Sequence, residues 1–166
     1  MQVYTGDGKG KTTAAIGLAV RALGAGMRVY FAQFLKSGDY SEKKVLEKLD
    51  NLIFRQYGKS GFITREPSDE DREMASRGVE EAGEALRSGA FGLVILDEIN
   101  VACKLGLITS DAVMSLLRER RDMTELVLTG RKASQELIDA ADLVTEMRSV
   151  KHYFVSGVPA RRGIES

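Results

Sequence analysis

Apolar residues fall along this chain in two rhythms. Short, almost continuous apolar runs at Val29 to Phe34, Leu93 to Leu96 and Leu126 to Thr129 read as strands buried on both faces. Gln2 to Thr5 and Leu52 to Tyr57 are weaker strand candidates, and Leu143 to Met147 is a candidate sixth. Between them the apolar positions recur at helical spacing. Thr12 to Leu23 sets Ala15, Ile16, Ala19 and Leu23 on one face, with Gly24 and Gly26 at its end. Ser68 to Arg87 opens close to a capping box, with Asp71 three residues after Ser68, and carries the stripe Ala75, Val79, Ala82 and Leu86 up to Gly89. Ser41 to Leu49, Asp111 to Arg120 and Ser134 to Ala141 are shorter helical stretches. Strands alternating with helices predict an α/β fold, with a mostly parallel five- to six-stranded sheet and helices on both faces.

One segment breaks the alternation. Gly58 to Pro67 is a loop longer than compact domains usually carry, a length associated with binding as well as with plain surface variation. No repeat or linker divides the chain, so residues 1–166 are expected to form a single domain.

Composition narrows the picture. Lys plus Arg and Asp plus Glu both number 24, so the chain has no electrostatic footprint for nucleic acid or an acidic membrane. The acidic stretch Asp69 to Glu84 and the basic clusters at Arg118 to Arg121 and Arg161 to Arg162 read as solvated faces and a tail. A single cysteine, Cys103, rules out an internal disulfide and suits a reducing compartment. No apolar run approaches the ~20 residues of a membrane span. Met1 leads almost directly into functional sequence, so no leader is expected and a cytoplasmic location is.

The chemistry starts at Thr5-Gly6-Asp7-Gly8-Lys9-Gly10-Lys11-Thr12-Thr13, between a short strand and a helix. A triphosphate needs many donors at close range. Glycines at 6, 8 and 10 free the backbone to aim N–H groups inward, and the helix adds its N-terminal dipole. Lys11 supplies a point charge, and the Thr12 hydroxyl is suited to Mg²⁺. The usual phosphate-loop pattern has glycine where this chain has Thr5. Lys9 is either a further phosphate contact or a solvated side chain.

A second site element is the buried run Leu93 to Leu96 ending in Asp97 and Glu98. Acids at the carboxyl end of a parallel strand lie on the edge where open α/β sheets bind ligands. One can hold Mg²⁺, directly or through water, and the other can orient a ligand. Gln33-Phe34-Leu35-Lys36 and Thr129-Gly130-Arg131 should emerge on the same edge. Arg131 is placed to meet phosphate or ribose. Arg21 lies about two and a half turns along the helix after the loop, and either folds back to the phosphates or makes a structural ion pair.

Taken in order, these motifs resemble the ATP:corrinoid adenosyltransferases of bacterial cobalamin synthesis and salvage, a family with a P-loop NTPase-like fold. The resemblance runs through the loop and Ala14-Ala15, Gln33 to Lys36, Gly61-Phe62, Leu96 to Glu98, Thr129 to Arg131, and Ala141 to Arg148. It continues through Val150 to His152, Gly157-Val158, Ala160-Arg161 and Gly163 to Glu165. It implies a transferase that moves the 5′-deoxyadenosyl group of ATP to the Co(I) of a reduced corrinoid and releases triphosphate. It further implies catalytic roles for Lys11, Arg21 and Arg131, and ATP contacts along Thr5, Gly6, Asp7, Gly8, Lys9, Gly10, Lys11, Thr12 and Thr13. Mg²⁺, or Mn²⁺ in its place, would be held by Thr12 and Glu98. Phe62 matches an aromatic that helps bind the corrin without its lower axial ligand. The tryptophan that accompanies it elsewhere is absent, and Ile63 or Thr64 stands near its place. A flavoprotein or other reductant and a homodimer are implied as partners. His152, the single histidine, has no role in this chemistry and is expected to be structural.

Two other classes share the loop. A kinase of the thymidine-kinase type often carries a cysteine-rich zinc lobe, which one cysteine cannot build. An ATP-hydrolysing switch would release ADP and phosphate without a corrinoid.

Overall fold

The computed structural model describes residues 1–59, 66–121 and 123–165. The elements, in chain order, are β1 (Gln2–Thr5), α1 (Lys11–Gly24), β2 (Val29–Phe34), α2 (Lys43–Leu46), β3 (Leu52–Tyr57) and α3 (Asp69–Ser88). Then come β4 (Leu93–Asp97), α4 (Ile99–Lys104), α5 (Ser110–Glu119), β5 (Glu125–Thr129), α6 (Gln135–Ala140) and β6 (Leu143–Glu146). The strands form one sheet in the order β3-β2-β4-β5-β1-β6. Every neighbouring pair is parallel, so the sheet is wholly rather than mostly parallel.

The sheet is buried because both faces are covered. In β2 and β4 every residue is buried, as their unbroken apolar runs require. Alternate side chains go to opposite faces. Val29 and Phe31 of β2, with Leu93 and Ile95 of β4 and Val127 of β5, pack against Ala15, Ala19 and Ala22 of α1 and Leu46 of α2. Tyr30, Ala32 and Phe34, with Val94, Leu96, Leu126 and Leu128, face Ala75, Ala82 and Leu86 of α3, Ile99 and Ala102 of α4, and Leu116 of α5. Each fully buried Leu, Ile or Phe stabilises the fold by roughly 1.5–3 kcal/mol. The alanines of α1 keep it close to the strands.

Helix limits follow the expected signals. Ser68 and Asp71 form a complete capping box at α3, and Gly89 ends it in the left-handed conformation at φ 65°. The stretch expected as a helix over Ser41 to Leu49 narrows to Lys43–Leu46, where Leu46 alone is buried. The six-residue helix α4 went unpredicted, because it is too short to show a period. The candidate sixth strand is present, but all four of its residues are exposed, as befits the sheet edge. Among the described residues, no helix is long and apolar enough to cross a membrane. His152 is used locally: its Nδ1 accepts the backbone N–H of Phe154 at 3.1 Å.

Candidate active site

Parallel register brings the chemically active residues to one edge. Tyr4 lies opposite Thr129, Thr5 opposite Glu146, and Gln33 opposite Asp97. Thus β1, β2, β4 and β5 end together, and the loop of residues 6–10 crosses that edge before α1.

The glycines of the loop are required by close approach as well as by conformation. A Cβ on Gly6 would lie 2.5 Å from Met147 O, and one on Gly8 would lie 2.7 Å from the same oxygen. Gly6 has φ 94°, and Gly10, the residue before α1, has φ 115°. The Gly8 N–H donates to Met147 O at 2.6 Å, so this donor serves the segment after β6. Thr5, where the phosphate-loop pattern has glycine, does structural work: its Oγ1 accepts the Ala133 N–H at 3.3 Å and ties the loop to the turn after β5.

Lys11 begins α1 and is only 6% exposed. Its Nζ donates to Gly6 O and Gly8 O, each at 2.7 Å. Burial pulls its pKa below the ordinary lysine range; the charge of Glu98 opposes that and the charge of Arg131 adds to it. An ammonium folded into its own loop in this way is ready to exchange carbonyl partners for phosphate oxygens.

Asp97 ends β4 with a carboxylate that is fully buried. Its Oδ1 accepts from Thr12 Oγ1 at 2.9 Å and Thr129 Oγ1 at 2.6 Å. Its Oδ2 accepts from Lys36 Nζ at 2.9 Å and Gln33 Nε2 at 3.2 Å. Four donors occupy this carboxylate. Thr12 spends its proton on Asp97, which leaves the lone pairs of its oxygen for another partner.

Glu98 adopts φ 63° at the start of α4, and its N–H donates to Thr129 Oγ1 at 3.0 Å. Burial, then the neighbouring Asp97 charge, raise its pKa, while Lys36, Lys11 and Arg131 pull it down. Burial by itself would lower the Lys36 ammonium, but the charge and hydrogen bond of Asp97 outweigh it and the net displacement is upward.

The oxygen set of Thr12 and Glu98 suits a hard cation such as Mg²⁺, which takes one or two protein ligands and completes its shell with phosphates and water. No cluster of three or more His, Cys, Asp and Glu side chains capable of holding a metal occurs among the described residues.

The remaining expected residues divide. Arg131 is exposed, follows Gly130 and is close enough for its charge to reach Lys11 and Glu98. Asn100 Nδ2 holds that turn through Gly130 O at 3.2 Å. Arg21 lies exposed in the last turn of α1, beside Tyr4, about 15 Å along the helix from Lys11. The structure does not gather it with Lys11. Lys9 points to the C-terminal segment, with Nζ 2.7 Å from Ile164 O and 3.1 Å from Glu165 Oε1. Asp7 pairs with Lys132 at 3.6 Å, and Thr13 is exposed on α1. Phe62, with Ile63 and Thr64, lies outside the described residues. An open depression of about 520 Å³ is lined by Ser37, Asp39, Tyr40, Ser41, Lys44 and Arg162; none is a loop residue, so it is not the triphosphate cradle.

Sequence reasoning missed Gln33, Lys36 and Thr129 as partners of Asp97. Each stands at a strand end within a motif already singled out, yet only the fold shows that they converge on one carboxylate.

A wholly parallel α/β sheet with a glycine-rich loop before α1 and two acids at the end of β4 defines a P-loop NTPase-like protein. The family model "ATP:corrinoid adenosyltransferase BtuR/CobO/CobP" matches residues 1–166, and the chain belongs to this family of transferases. It is 40% identical to a corrinoid adenosyltransferase of Sinorhizobium sp, covering 98% of this chain and 78% of the relative. A corrinoid adenosyltransferase of Pseudomonas aeruginosa is 38% identical over 98% of this chain and 81% of its own length. One of Escherichia coli K12 is 35% identical over 98% and 83%.

Proposed function

We propose that the chain, acting as one domain, transfers the 5′-deoxyadenosyl group of ATP to the Co(I) of a reduced corrinoid. The Co(I) lone pair forms the Co–C5′ bond, the C5′–O bond breaks, and its electrons leave with triphosphate. The observation that carries this reading is Lys11 folded into the loop beside Thr12, on the edge where the acids of β4 emerge, in a chain matched end to end by the adenosyltransferase family.

The corrinoid supplies the nucleophile, so the protein's tasks are positioning and charge. Lys11 and the free loop N–H groups hold the triphosphate as a leaving group. Arg131 adds positive charge from the end of β5. Arg21 is assigned to the phosphates on family resemblance alone, as are the contacts of Asp7, Lys9 and Thr13. Thr12 and Glu98 would hold Mg²⁺, or Mn²⁺, which neutralises developing charge on the phosphates when bound. Asp97 keeps the Thr12 hydroxyl oriented and does not itself face the nucleotide. Phe62 would pack against the corrin. A flavoprotein or similar reductant would deliver the electron that makes Co(I), and the enzyme would act as a homodimer in the cytoplasm.

Incubation of the purified protein with ATP, Mg²⁺ and chemically reduced cobalamin tests the reading. Triphosphate should appear only when the reduced corrinoid is present. Release of ADP and phosphate without it would support a hydrolytic switch instead.

A further inference from the structure

Lys36 ends the strand-end motif Gln33 to Lys36, a motif that by itself gives this side chain no role. Its Nζ lies 2.9 Å from Asp97 Oδ2 and 3.4 Å from Thr12 Oγ1. The second contact engages the oxygen that Thr12 leaves free after donating its proton to Asp97. The ammonium therefore lies against the same oxygen that a cation bound to Thr12 would use, and the charge of Glu98 also acts on it.

This placement is built into the backbone. Leu35, just before Lys36, has φ 60°, a left-handed conformation that a leucine adopts only when its surroundings impose it. The Leu35 N–H is fixed to Tyr57 O at 2.9 Å. A Cβ on Gly58 would lie 2.6 Å from both Leu35 C and Lys36 N, so the chain at this turn is clamped against β3. Lys36 is itself only 19% exposed at its side chain.

We propose that Lys36 is a positioning residue whose ammonium, held on Asp97, competes with Mg²⁺ for the Thr12 oxygen and moves off that oxygen as Mg²⁺ and ATP bind. The proposal rests on the Thr12–Glu98 metal site proposed above. A buried carboxylate without a counter-charge is costly, and Lys36 supplies one to Asp97. Two cations cannot share the Thr12 oxygen, and the flexible four-carbon stem of lysine lets its ammonium move without disturbing the clamped backbone.

The experiment is ATP binding by calorimetry across buffered free Mg²⁺, with EDTA as the lower limit, for the wild type, Lys36→Gln and Lys36→Arg. Lys36→Gln removes the competing charge while retaining a donor for Asp97. It should lower the free Mg²⁺ needed for half-maximal ATP binding by about tenfold, the equivalent of about 1.4 kcal/mol. Lys36→Arg, which keeps the charge, should keep the wild-type requirement. Should Lys36→Gln fold poorly, thermal melting with Mg²⁺ alone gives the second readout: the variant should be rescued by Mg²⁺ more than the wild type is stabilised by it. An unchanged or higher Mg²⁺ requirement, absence of that rescue, or a loss of ATP affinity equal at every Mg²⁺ level would overturn the proposal for Lys36. Failure of the wild type to bind ATP at saturating Mg²⁺ would overturn the site reading itself.

Discussion

The Thr12 hydroxyl donates to Asp97 Oδ1 at 2.9 Å, joining two residues 85 positions apart. This bond sets the orientation of the loop relative to the sheet, and it divides the work of two adjacent acids. Asp97 is saturated from within the protein, and the proposed metal role falls to Glu98.

Removing that anchor should therefore damage stability before chemistry. Asp97→Ala leaves Lys36 and Gln33, together with two threonine hydroxyls, without their acceptor. The loss should be about 3–5 kcal/mol, the range for breaking a buried charge pair. Urea denaturation measures it; a change below ~1 kcal/mol would mean that the carboxylate does not organise this edge.

The glycines of the chain offer a paired test. Gly8→Ala places a methyl 2.7 Å from Met147 O and should cost about 1–3 kcal/mol and weaken ATP binding. Gly17→Ala, exposed in the middle of α1 with nothing within 4 Å of the new methyl, should stabilise by roughly 0.5–1 kcal/mol. Thermal melts of the two variants should move in opposite directions.

How much of this was legible beforehand depends on the kind of interaction. Strand limits were nearly complete: Val29–Phe34, a continuous apolar run buried throughout, and Leu52–Tyr57, a weaker candidate in which only Phe54 and Tyr57 are buried, match residue for residue. The loop was legible because Gly10-Lys11-Thr12, with two further glycines at 6 and 8, stands in a strand-to-helix context. The convergence on Asp97 was not, since Gln33, Lys36 and Thr129 meet it only through the β3-β2-β4-β5-β1-β6 strand order. Lys9 went to the C-terminal segment for the same reason: nothing local to it announces Ile164 and Glu165 as partners.

Cys103 gives a pH test that is independent of catalysis. Burial pushes its thiol up to about 11 from an ordinary 9.0. The fold thus favours the neutral thiol. This contribution to stability is complete below about 9 and is lost as pH rises through about 11. Alkylation by iodoacetamide near pH 8 should run about a hundredfold slower than for an exposed cysteine and accelerate only above pH 10. Rapid labelling at pH 8 would contradict the partly buried placement of the thiol.

Phe62→Ala should impair turnover that starts from Co(II) far more than turnover from pre-reduced Co(I). Its proposed task is to favour the corrin without a lower ligand, which helps reduction rather than adenosyl transfer. Steady-state rates with the two oxidation states distinguish these; equal loss in both argues against that role.

The most direct measurement mixes ATP, Mg²⁺ and cob(I)alamin under anaerobic conditions with the wild type and with Lys11→Ala, following the corrinoid spectrum and the phosphate products together. The wild type should show loss of Co(I), growth of a light-sensitive alkylcobalamin and an equal amount of triphosphate. Lys11→Ala should lower the rate by at least about a hundredfold. An unchanged corrinoid spectrum with the folded wild type, or ADP in place of triphosphate, would contradict adenosyl transfer at this loop.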